Sequence, residues 1–139
     1  MSSFDGNFVA DAIYDLLNVP GVTSLVPEER IISESLPKDK TPIYPSIQYI
    51  VYADFKPSRT LARGVASYKG SYKVVCWTQD DPRAARELAK ALQEAMQATV
   101  PAGFIDISPG RPLWIPENEE GDGSNYYQAG QIYEIEVEA

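Results

Sequence analysis

The stretch Ser67-Tyr-Lys-Gly-Ser-Tyr-Lys-Val-Val-Cys-Trp-Thr78, passing through Gln79-Asp-Asp-Pro82 into Arg83-Ala-Ala-Arg-Glu-Leu-Ala89, decides the fold. Its first half is rich in aromatic and β-branched residues and reads as a strand. Tyr68, Tyr72, Val74 and Cys76 take one face, and Lys69, Lys73, Val75 and Trp77 the other. The period then changes. Asp81 is an N-cap and Pro82 suits the first helical position, where a missing N–H costs nothing. Ala85, Leu88, Ala89, Leu92, Ala95, Met96 and Thr99 recur at helical spacing, so the helix runs to about Thr99 and stops at Val100-Pro-Ala-Gly103.

Working outward, Ser46-Ile-Gln-Tyr-Ile-Val-Tyr52 is a second strand, with Ile47, Tyr49 and Val51 on one face. Between the two strands, residues 53–66 hold Pro57, Gly64 and the bases Lys56, Arg59 and Arg63, and read as a long loop. Towards the N-terminus, Phe8, Val9, Ala12, Ile13, Leu16 and Leu17 form an apolar helical stripe capped by Asp5 and stopped between Asn18 and Gly21. Residues 22–43 are broken by Pro27, Pro37 and Pro42, with a short strand expected at Arg30-Ile-Ile32. Towards the C-terminus, Phe104-Ile-Asp-Ile107 is a short strand. Residues 108–125 read as a loop with a brief strand at Trp114-Ile115. In the last strand Tyr133, Ile135 and Val137 alternate with Glu134, Glu136 and Glu138, one buried face and one wet face. The expected architecture is α+β: an antiparallel sheet with two helices packed on one face, a two-layer sandwich in a single domain spanning 1–139.

Composition narrows the function. The chain has 139 residues, 44% of them hydrophobic and 23% charged, an ordinary globular balance that excludes wholesale disorder. No run reaches the ~20 apolar residues of a membrane-crossing helix, and no secretory leader is read at the N-terminus. The single cysteine, Cys76, has no partner for an internal disulfide, which suits a reducing cytoplasm. There is no histidine. That removes the commonest general base, the Ser-His and Cys-His pairs and the commonest metal ligand. Cys/His zinc sites are excluded, because one ligand of that kind cannot make four.

The remaining chemical motifs each have a plainer explanation. Ser35-Leu-Pro-Lys38 has the Ser-x-x-Lys spacing of serine acyl enzymes, but Pro37 breaks the helix that chemistry requires and the companion motifs are missing. Cys76 lies mid-strand on an apolar face, with no histidine to lower its pKa, and reads as a buried structural cysteine. Glu117 to Asn125 concentrates oxygen ligands, but its spacing is not that of a calcium loop. Asp80 and Asp81 read as helix caps rather than an acid–base pair. No phosphate-cradling glycine loop occurs. No catalytic residue, metal or cofactor is expected.

Charge is the more informative feature. There are 12 Lys and Arg against 20 Asp and Glu, a net of −8. Residues 1–40 carry 7 acids and 3 bases, residues 41–100 carry 5 acids and 8 bases, and residues 101–139 carry 8 acids and 1 base. The bases Lys56, Arg59, Arg63, Lys69 and Lys73, interleaved with Tyr68 and Tyr72, have the makings of a nucleic-acid surface. The overall −8 argues against it, because phosphate contacts dominate such binding. A basic middle and an acidic end favour pairing of copies head to tail.

The chain as a whole resembles the tail completion, or tail terminator, family of long-tailed bacteriophages. The resemblance covers roughly residues 8 to 138. It rests on the helix with Ile13 and Leu16-Leu17 leading to Gly21-Val22, a proline-rich stretch ending in a strand, and a bulky loop. It continues through Tyr72-Lys-Val-Val-Cys-Trp-Thr78 running straight into the helix at 81–89, a glycine-bearing turn, and closing acidic, Tyr-bearing strands. Residues 72–92 are its most recognisable part. Such proteins join the tail tube to the head. The resemblance implies a structural virion protein that forms a homo-oligomeric ring, commonly six-fold, located at the head–tail interface and assembled in the host bacterial cytoplasm. Its implied partners are its own copies, the tail-tube protein and the head-side connector, with DNA only as passing cargo and no membrane. Sheet edges and long loops make the contacts in such rings. Lys56, Arg59, Arg63, Lys69 and Lys73 on one side, and Glu134, Glu136 and Glu138 on the other, are the expected interface residues. Two rivals are a head–tail connector or tube-associated protein of similar fold, and a small hydrolase working with carboxylates alone. The second lacks any paired catalytic motif.

Overall fold

The computed structural model describes residues 5–33, 45–59, 64–79, 81–118 and 125–139. Helix α1, Gly6–Leu17, begins where the Asp5 carboxylate accepts a hydrogen bond from the Asn7 amide, and it buries Val9, Ile13, Leu16 and Leu17. It ends at Asn18. Pro20 does stop it, and also opens the single-turn α2, Pro20–Thr23, as the first residue of a new helix. A 3-10 turn, Glu28–Arg30, leads into β1, Ile31–Ser33. Glu28 ties this turn back to α1: the Tyr14 hydroxyl donates to its Oε1 at 2.6 Å and the Asn18 side-chain amide at 3.3 Å. The carboxylate beside it pushes the Tyr14 phenol up to about 12, first through the hydrogen bond.

The sheet has five strands in the order β1-β2-β3-β5-β4, where β2 is Ser46–Arg59, β3 is Val65–Gln79, β4 is Phe104–Asn118 and β5 is Asn125–Glu138. Helix α3, Pro82–Gln97, crosses back over β3 and β5, and α1 and α2 pack against it. The Asp81 carboxylate caps α3 by accepting from the Arg83 and Ala84 amides at 3.0 and 3.2 Å. Ala85, Leu88, Leu92, Ala95 and Met96 face the sheet, which supplies Ile47, Tyr49, Tyr72, Val74, Cys76, Tyr133, Ile135 and Val137 to the same core. Each fully buried leucine or isoleucine there contributes about 2 kcal/mol of burial free energy.

The α+β two-layer architecture is as expected, with helices on the sheet, but four details differ. The sheet is mixed rather than wholly antiparallel, because β1 runs parallel to β2, Ile31 opposite Ile47. The 12 residues separating Ser33 from Ser46 are long enough for the crossover a parallel pair needs; a tight hairpin would force the antiparallel one. A third, short helix, α2, joins the expected two. The expected loop at 53–66 is instead largely strand: β2 continues to Arg59 and β3 begins at Val65, with register shifts after Val51, Ala53 and Ser58. The expected loop at 108–125 is strand as far as Asn118. The proline-rich β4 is an edge strand of the described sheet, with Pro109, Pro112 and Pro116 and a register shift between the first two. An edge position spares a proline the ladder hydrogen bond it cannot donate.

Close backbone packing fixes the β3–β5 pair. At Gly130 a β-carbon would lie 2.2 Å from the Val74 carbonyl oxygen and 2.7 Å from Val75 Cα, so only glycine lets the strands approach this closely. Gly103, with φ +85, turns the chain from α3 into β4, and the Phe8 ring lies over it. That ring also meets Phe104, with centroids 5.6 Å apart.

Candidate assembly surfaces

The expected interface residues converge on neighbouring strands. Cross-strand register aligns Lys56 of β2, Lys69 of β3, Glu136 of β5 and Asp106 of β4 in one row across four strands. Like charges sit directly opposite at each end of the row, Lys56 with Lys69 and Glu136 with Asp106, which is unfavourable taken pair by pair. The opposite charges at its centre offset this. Lys69 Nζ lies 4.0 Å from Glu136 Oε2, and the same oxygen accepts a 2.6 Å hydrogen bond from the Ser67 hydroxyl. Lys69 is well exposed, so the ion pair contributes at most about 1 kcal/mol. Asp106 accepts a hydrogen bond from Ser108.

The other expected residues continue this pattern. Ser71 faces Glu134 and Ser67 faces Glu138. Lys73 lies half-buried between Ile50 and Ile132 in the register. Arg59 ends β2, exposed, opposite Val65. Arg63 lies outside the described residues. The basic segment and the acidic C-terminal strand are therefore neighbours within one subunit. Part of the acidic charge is matched at home. Lys56 and Arg59 enter no ion pair among the described residues.

The motifs weighed for catalysis fall as follows. Cys76 is fully buried, and burial pushes its thiol from an ordinary 9.0 up to about 12. Its Sγ donates weakly to the Ala85 carbonyl of α3 at 3.6 Å. That is a core thiol, held protonated. Asp81 is occupied as a cap. Asp80, Ser35 and Lys38 lie outside the described residues, as does most of the acidic segment 117–125. Among the described residues no three His, Cys, Asp or Glu side chains gather as a metal site. No helix there is long and apolar enough to cross a membrane.

Two features escaped the sequence reading. Arg86 of α3 lies 4.9 Å from the ring centre of Trp114 on β4, and Trp114 stacks on Tyr127 at 5.6 Å, so α3 is clamped to the outer strands at its N-terminal end. At its C-terminal end, α1 and α3 leave a groove of about 630 Å³ between them. Phe8, Asp11 and Asp15 line it from α1 and Val19 from the start of α2, with Ala95 of α3 and its C-cap Ala98 opposite. A signal for it existed. The apolar stripe of α1 is wider than one buried face needs: Val9 and Ile13 are fully buried while Phe8 stays 43% exposed.

No family model matches the chain, and no curated protein does. Its fold does match solved structures. A chain from the virion of a native gene transfer agent particle superposes with a TM-score of 0.62 at 14% identity, covering 91% of this chain and 92% of that one. A second solved chain, which carries no descriptive name, superposes with a TM-score of 0.52 at 15% identity over 95% and 96%. At these identities the likeness is one of fold, and it spans nearly the whole length of each chain.

Proposed function

We propose that this chain is a structural virion protein that caps the tail tube of a phage-like particle and joins it to the head connector, acting through contacts and without catalysis. The observation that carries this reading is the likeness, over nearly the full length of both chains, to a component of a gene transfer agent virion. The resemblance of residues 8–138 to tail terminators points to the tail end of the head–tail joint in particular. Electrostatics support it. A subunit with a net charge of −8 suits a passage for DNA, because basic walls would hold the phosphates. The partners are other copies of the chain, the tube protein and the connector, and the location is the virion.

Removing the protein from particle assembly tests this. The expected result is filled heads without tails, accompanied by free tails of uneven length. Particles of normal length and joining would overturn the proposal.

A further inference from the structure

The groove between α1 and α3 has an apolar floor and an acidic wall. Phe8 of α1 and Val19, just past the end of that helix, lie at opposite ends of the groove, and Asp11 and Asp15, four residues apart, stand on one side of α1. Neither aspartate enters an ion pair among the described residues. Ala95 and Ala98 keep the α3 side low, which leaves room for a side chain or a narrow segment to lie in it.

The outer part of the β2–β3 pair, residues 52–59 and 65–71, forms an arm that carries the complementary features. Tyr52 is 58% exposed, and Lys56 and Arg59 follow it, also exposed. Of the β5 acids only Glu136 is ion-paired, with Lys69 of its own subunit, and neither Lys56 nor Arg59 enters an ion pair among the described residues. Asp54 is the one acid among the described residues of β2. An aromatic anchor followed by two bases fits an apolar groove walled by two carboxylates.

We infer that the α1–α3 groove is the docking site for the β2–β3 arm of a second copy of this chain, with Tyr52 seated on the apolar floor and Lys56 and Arg59 against Asp11 and Asp15. The contact is heterologous: arm and groove are different patches, so each copy offers one of each, and repetition closes a ring or extends a filament. The assignment rests on the self-association in the proposed function and names the surfaces that make it.

A charge swap tests it. Light scattering over a concentration series is run on the wild type, on Asp11→Lys/Asp15→Lys and on Lys56→Glu/Arg59→Glu, with circular dichroism to verify that each is folded. The wild type should self-associate, and each folded variant alone should lose the oligomer. An equimolar mixture of the two variants should regain it, because basic groove then meets acidic arm and acidic groove meets basic arm. A wild type that stays monomeric at every concentration overturns the inference, as do folded variants that associate like the wild type or a mixture that does not recover. If the variants still assemble and still cap tails, the groove assignment fails while the tail-capping reading stands.

Discussion

Cys76 sits where β3 passes under α3, and its chemistry follows from that place. Burial withholds the solvation a thiolate needs, so the folded chain keeps its proton up to about pH 12 while an unfolded one releases it near pH 9.0. Between those values the unfolded state binds fewer protons than the folded state, so stability is full below pH 9 and falls as pH rises through the window. Tyr133, buried in the sheet core and raised from 10.0 to about 12 by the same desolvation, adds a second loss beginning one unit higher. Urea midpoints measured between pH 8 and about 11 should therefore decline above pH 9, and Cys76→Ala should make that decline shallower. Identical slopes for the two proteins would show that the thiol is not buried as described. The same burial should keep the thiol from alkylation in the native state, read as a single unmodified mass after treatment with iodoacetamide.

At the scale of elements, α3 depends on its first turn. The Asp81 carboxylate satisfies two amide donors that the helix itself leaves unpaired. Asp81→Ala should cost about 1 kcal/mol, read as a lower urea midpoint with unchanged slope, and Asp81→Asn should recover most of it. An alanine variant as stable as the wild type would mean the cap contributes nothing. This helix, its cap and the β3 faces were all legible in the sequence, because the apolar period changes cleanly from two to three or four at Asp81. The long outer strands were not. Pro57 in β2 and Pro109, Pro112 and Pro116 in β4 are the residues that mark a loop when neighbours along the chain are all one knows. Their tolerance depends on lying at bulges or an edge, and strand order across the sheet decides that. The parallel β1 was hidden for a similar reason: three residues carry too little pattern to declare a direction.

At the scale of the whole molecule, the charge segregation visible along the chain does not become two separate faces. The sheet places the basic segment beside the acidic C-terminal strand, and the row Lys56, Lys69, Glu136, Asp106 is partly self-compensating. The sequence reading set these bases and acids on two different patches, and did not foresee that Glu136 meets Lys69 within one subunit. The acidic partner for the arm is better sought on α1, at Asp11 and Asp15, to which the sequence reading gave no interface role. The groove beside them is a product of how α1 and α3 cross; the wide apolar stripe of α1 hints at an uncovered face, but not at what lies beside it. Exposed ion pairs of this kind set register and partner choice more than strength, so the apolar floor has to supply most of the hold.

In the proposed role the chain ends a tail tube. The most direct measurement is tube length by negative-stain imaging, with tube protein polymerised in the absence of the chain and at increasing ratios of it. Tubes that stop growing and carry added density at one end are the predicted result. Tubes of unchanged length with no density at either end would contradict it.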